Sequence, residues 1–237
     1  MPNSGHVHKK NDGSDHNDRG PDPNTDHHDA DNDDEERGKL TLGGVDNRAF
    51  NGPLQTVQLD KHLTNLTQSW VVEVQEVRIP STGHGHQGVT LPLPGNDTIP
   101  RGVGLLDTGT AFIMTPDFET ARKLYARISD EIVPIDALGS WGAPCATLES
   151  VKRDVVIKVG KTGGQTVDVT VRKEWFNLGE YPGLPGTCQA VFLNPLSPAR
   201  EPMLQRPAWV LGSPFNRGYY TVWNARGGTL GFGRLKR

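Results

Sequence analysis

From Lys39 onward the chain is cut into short segments rich in β-branched and aromatic residues, separated by Gly, Pro and Asn. The segments are KLTLGG, LQTVQLD, SWVVEVQEVRI, VGLLD, DVVIKV, TVDVTVR, QAVFLN, AWVLG, YYTVWN and TLGFG. Most are too short for a core helix, and their residue types suit a pleated, half-buried surface. In TVDVTVR, Val167, Val169 and Val171 fall on one face against Thr166, Asp168 and Thr170. In WVVEVQEV the apolar phase slips between Val74 and Val77, which predicts a β-bulge. The pattern specifies an all-β fold with one or two short helices.

One helix is expected after the strand VGLLD. Thr115 is placed to cap it, Pro116 suits its first position, and Asp117 and Glu119 suit the positive end of its dipole. Phe118, Ala121, Tyr125, Ile128 and Ile132 recur at helical spacing. No internal repeat is visible.

Residues 1–38 have a different texture. Their only hydrophobic residues are Met1, Val7 and Ala30, and nine Asp and two Glu face two Lys and two Arg, a net charge of −7. Such a segment cannot bury enough surface to offset its ordering entropy, so 1–38 is expected to be a disordered acidic tail. Its five histidines among carboxylates can hold divalent metal loosely, but a solvated acidic tail is the plainer account, and no metal site is assigned. His84 and His86 in STGHGHQG are read the same way, as exposed loop histidines. The domain proper is 39–237.

The remaining 199 residues carry +4, without the basic stripe that nucleic-acid binding requires. No apolar run approaches the roughly 18 residues of a membrane span. Met1 leads straight into polar sequence, so no signal peptide is expected. Cys145 and Cys188 can pair, closing a loop worth roughly 3–5 kcal/mol in chain entropy. Their spacing suits neither a zinc ribbon nor a redox CxxC motif. Asn65-Leu66-Thr67 and Asn96-Asp97-Thr98 are acceptor sequons for N-linked glycan. Sequons and a cysteine pair point to an oxidising compartment, at odds with the missing signal peptide.

The stretch GVGLLDTGTAFIMTP holds the chemistry. Leu105 and Leu106 bring Asp107 to a strand end, and Gly109 removes a Cβ so that backbone and substrate can approach. The hydroxyls of Thr108 and Thr110 and the turn N–H groups can hold the carboxylate at a fixed orientation and tuned acidity. A bare Asp-Thr-Gly triplet is also found capping ordinary turns. No G-x-S-x-G and no H-E-x-x-H is present, so other hydrolase chemistries find no support.

The surrounding residues resemble the pepsin-like aspartic proteases, and within them the C-terminal lobe. GKLTLGGVDNRAFNGPLQTVQL (38–59) is similar to the segment that leaves the N-terminal lobe. LLDTGTAFIMTP is similar to the second catalytic motif and its helix. Cys145 and Cys188 fall where that lobe has its disulfide. WVLGSPFNRGYYTVWNARGGTLGFGRL (209–235) is similar to the long closing segment. The resemblance covers 39–237 and implies a single lobe of the family's β-barrel fold.

The resemblance makes Asp107 the catalytic aspartate, held by Thr108, Gly109 and Thr110, with Val210, Leu211 and Gly212 as the strand behind the catalytic loop. It implies peptide-bond hydrolysis in acid by an Asp-activated water, without cofactor, on a polypeptide substrate in an extracellular, vacuolar or secretory setting. Ser213 stands where the family usually has Asp, and Ala111 where it usually has Ser. The family's mechanism needs two facing carboxyls about 3 Å apart that share one proton. This sequence contains one Asp-Thr-Gly and no Asp-Ser-Gly. Alone, Asp107 is expected to titrate as an ordinary acid and not to poise a water. A second aspartate would come from a homodimer partner or a separate N-terminal lobe. The alternative is a catalytically inactive single-lobe fragment, or a peptide-binding or interaction protein.

Overall fold

The computed structural model describes residues 39–80, 101–196 and 206–236. The acidic tail 1–38, His84, His86 and the Asn96 sequon lie outside the described residues.

The strand-forming segments fold as short strands with few helices. The first half contains β1 (Phe50–Gln58), α1 (Lys61–Thr67), β2 (Trp70–Arg78), β3 (Gly102–Leu106), β4 (Ile113–Met114), α2 (Phe118–Tyr125), β5 (Val133–Pro134), β6 (Trp141–Pro144) and α3 (Cys145–Glu149). The second half contains β7 (Val155–Gly160), β8 (Thr166–Val171), a 3₁₀ turn (Lys173–Trp175), β9 (Asn177–Glu180), β10 (Thr187–Ala190), β11 (Phe192–Leu193), β12 (Ala208–Leu211), α4 (Ser213–Asn216), β13 (Tyr219–Asn224) and β14 (Thr229–Leu235).

They build three sheets. The central one has seven strands in the order β11-β4-β12-β3-β2-β7-β8, flanked by a β5-β6-β10-β9 sheet and a β1-β14-β13 sheet. Val167, Val169 and Val171 are all buried, so the period-two pattern points into the core. The register of β2 against β7 shifts between Val74 and Glu76, where the apolar phase slips. One main core gathers residues from all three sheets, including Trp209, Phe215, Phe176, Ile157 and Tyr125. A smaller cluster of Leu63, Val71, Val103 and Ala208 seats α1 on the central sheet.

Three local expectations change. KLTLGG forms no strand, and Leu40 and Leu42 are more than four-fifths exposed. Its apolar residues find no neighbouring strand to pair with among the described residues. The helix begins two residues later than expected: the Asp117 carboxylate, not Thr115, accepts from the Thr120 N–H at 2.7 Å. Thr115 is buried instead, its hydroxyl donating to the carbonyls of Asp117 and Leu193. The helix stops at Tyr125, and Ile128 and Ile132 continue along turns closed by Ile128 N–H to Tyr125 O and Ile132 N–H to Ser129 O. The apolar spacing persists because those turns still face the core.

Cys145 and Cys188 form a disulfide with a Cα separation of 4.7 Å. It ties the start of α3 to β10, beside the pairing of Cys188 with Ala143 in β6.

Candidate active site

β3 is held from both sides. β2 runs antiparallel to it, pairing Trp70 with Leu106, and β12 runs parallel, pairing Val210 with Leu105 and Leu211 with Leu106. The strand continues one bond further: the Asp107 N–H donates to Leu211 O at 3.1 Å. The chain then turns over the end of β12 and returns on its other side as β4, where Ile113 pairs with Leu211. Asp107 therefore sits at the crest of a loop straddling β12. Val210 and Leu211 pass beneath it.

Inside the turn the carboxylate is held by its own loop. Gly109 N–H donates to Oδ1 at 3.0 Å, and the Thr110 hydroxyl donates to Oδ2 at 2.6 Å. Thr110 N–H closes the backbone by donating to Asp107 O at 3.1 Å. A Cβ on Gly109 would stand 3.3 Å from Oδ1, so glycine gives its N–H an unobstructed approach. Thr108 is exposed and shows no hydrogen bond among the described residues.

The loop is anchored from behind. A Cβ at Gly212 would overlap the carbonyls of Phe112 and Thr110, so no larger residue fits while the loop keeps its path. Ser213 donates twice to Thr110 O, from its N–H at 2.8 Å and its hydroxyl at 3.0 Å. This clamp was not foreseen in the sequence, where Ser213 reads only as a departure from a family acid. The short polar residue after Leu-Gly was the signal. Ala111 is exposed and brings no hydroxyl to the loop.

Asp107 departs from the ordinary acid expected, toward a lower pKa. The Thr110 hydroxyl first, and then the Gly109 N–H, hold it below the usual carboxylate range, against a small opposing desolvation. The carboxylate is exposed, with no second carboxyl donating to it among the described residues. No cluster of three or more His, Cys, Asp and Glu suited to a metal occurs among the described residues. A cavity of about 560 Å³ near Leu148, Val151, Lys173 and Asn177 contains none of the residues of the Asp107 turn. The arrangement presents one oriented, ionised carboxylate on an open surface, suited to half of a two-carboxyl site.

Of the other predicted site residues, Asn65 is exposed on α1, and Cys145 and Cys188 are joined far along the chain from the turn. No helix among the described residues is long and apolar enough to cross a membrane.

Several known proteins are similar to this chain in sequence. Cathepsin D of the dog is 26% identical over 84% of this chain and 41% of its own length. Human cathepsin D is 25% identical over the same shares. A probable vacuolar protease A of Trichophyton verrucosum (strain HKI 0517) is 28% identical over 83% of this chain and 40% of its own. The chain spans about two fifths of the length of the curated relatives it matches. The profile described as "Eukaryotic aspartyl protease" matches residues 28–235, and the chain belongs to that family.

Proposed function

We propose that this chain supplies one half of an aspartic endopeptidase site, with Asp107 as the ionised member of a carboxyl pair. The observation that supports the reading most directly is an exposed Asp107 carboxylate held in a fixed orientation by the Gly109 N–H at 3.0 Å and the Thr110 hydroxyl at 2.6 Å, both of which favour its ionised form. In a two-carboxyl mechanism the ionised member takes a proton from water as that water attacks the scissile carbonyl. The protonated partner donates to the carbonyl oxygen. Two facing carboxyls share one proton, so the pair works in acid. Gly109 and Thr110 favour the ionised state on this side, which leaves the proton on the partner.

The second carboxyl comes from another lobe or from a second copy of the chain meeting the first about a twofold axis. The substrate is polypeptide, and the setting is extracellular, vacuolar or secretory, a reading that the word vacuolar in the name of one relative supports. The alternative is a catalytically silent lobe that binds peptides or a partner protein. It draws on the same surface, where Asp107 meets no carboxyl among the described residues.

Cleavage of an unstructured protein at about pH 3–5, over a wide range of chain concentration, separates these readings. Activity rising with the square of concentration supports a homodimer, and Asp107→Asn should abolish it without unfolding the chain. Activity that appears only with an added N-terminal lobe supports a separate partner. Folded protein that is inactive under both conditions supports the silent lobe. Activity that survives Asp107→Asn refutes the assignment of Asp107.

A further inference from the structure

We propose that Asn65 carries an N-linked glycan, added before α1 closes. The motif Asn65-Leu66-Thr67 is complete, with no proline in the middle position. α1 presents Asn65 to solvent and is anchored to the sheet mainly by Leu63. The Asn65 carboxamide makes no hydrogen bond among the described residues; Gln68 Nε2 donates to its backbone carbonyl, not to its side chain, at 2.6 Å. Beside it Leu66 is 45% exposed, an apolar side chain that a bulky hydrophilic group would shield. The disulfide between Cys145 and Cys188 suits the oxidising compartment where such glycans are attached.

The hydroxyl at the third position of the motif fixes the timing. A glycosyltransferase reads that hydroxyl, but here Thr67 Oγ1 donates to Leu63 O at 2.8 Å and accepts from Ser69 N–H at 3.3 Å. In the folded helix it is already committed, so transfer precedes helix closure. Asn65 Nδ2 bonds to the anomeric carbon of an oligosaccharide carried on a lipid pyrophosphate. The bond from that carbon to the pyrophosphate oxygen breaks, the lipid pyrophosphate leaves, and the amide loses one proton.

The test is cell-free translation of the full chain, directed into microsomes by a signal sequence, with gel mobility read before and after endoglycosidase. A glycan-sized step that disappears in Asn65→Gln and in Thr67→Val, and persists in Thr67→Ser, is the expected result. Steps unchanged by Asn65→Gln, whether they come from Asn96 or are absent altogether, overturn the site. In a second arm, solubilised transferase acts on a synthetic peptide of residues 60–70 and on full chain folded beforehand. Modification of the peptide alone supports the timing; equal modification of the folded chain overturns it. Neither arm depends on proteolytic activity, so this inference and the protease reading can fail separately.

Discussion

Asp107 and Asp136 are both turn carboxylates that accept from the N–H two residues ahead, yet they are held very differently. Asp107 is exposed and receives two donors, Gly109 N–H and the Thr110 hydroxyl. Asp136 is half-buried and receives the N–H groups of Leu138 and Ser140, both at 2.8 Å, and the Tyr181 hydroxyl. Burial pushes Asp136 up, but the bonds from Tyr181, Ser140 and Leu138 outweigh it and bring its pKa to about 2. Asp136 spends its lone pairs on structure, tying the approach to β6 to the loop after β9. Asp107 keeps lone pairs and an open face for something that arrives. A carboxylate saturated by its own chain stabilises; one half-satisfied at a surface is available for chemistry.

The largest effect that sharpens this contrast is a crossed pair of substitutions. Asp107→Asn should cut proteolysis by on the order of 10³-fold or more while leaving thermal unfolding nearly unmoved. Asp136→Asn should do the reverse. It keeps an acceptor for Leu138 and Ser140 but loses the charge, which costs about 1–2 kcal/mol at pH 5. The sign of the pH dependence follows from the lowered pKa. Asp136 contributes fully above the ordinary carboxylate range, and its contribution fades as pH falls from about 4 toward 2. Denaturant unfolding of the two proteins should therefore differ at pH 5 and converge near pH 2. Curves that stay parallel across that window would remove Asp136 from the structural side of the comparison.

Gly212→Ala tests the anchor rather than the acid. Its methyl would overlap the carbonyls of Thr110 and Phe112, so the Asp107 loop has to lift from β12. A cost of about 3 kcal/mol is expected, with Asp107 moving back toward ordinary acidity as its turn loosens. Both changes are readable by denaturant unfolding and by carboxyl-carbon NMR titration. Loss of stability with an unmoved Asp107 would show that the turn holds its carboxylate without help from β12.

Much of this was legible in the sequence, because strand periodicity is local and the closing segment from Trp209 is long. The valine alternation of β8, the bulge in β2 and the strand that carries Asp107 all follow from residues within a few positions of one another. KLTLGG has the same local texture, but a strand needs a neighbour, and pairing cannot be read from one segment. The helix start was misplaced because Thr115 and Asp117 are both good caps. Thr115 lost that role to a tertiary bond with Leu193 O, 78 positions away. The Asp136–Tyr181 bond spans 45 positions and leaves no local signature beyond a polar turn. At the candidate site the Asp-Thr-Gly turn was legible, whereas the two-donor clamp from Ser213 needs two remote segments to be brought together.

That clamp supplies the smallest and most discriminating prediction. Ser213→Ala removes the hydroxyl bond to Thr110 O and leaves the N–H bond in place. The carbonyl stays satisfied, so the stability cost should be at most about 1 kcal/mol. The Thr110 hydroxyl that holds Asp107 Oδ2 belongs to the same residue, and a looser Thr110 should let the pKa of Asp107 relax slightly upward. Thr110→Val, which deletes that hydroxyl directly, should relax it further, leaving only the Gly109 N–H. Following both carboxyl carbons through a pH titration orders the effects: Thr110→Val above Ser213→Ala at Asp107, and neither at Asp136. A shift at Asp136 in either variant would mean the two turns are coupled through the sheet, and the division into a structural and an available carboxylate would fail.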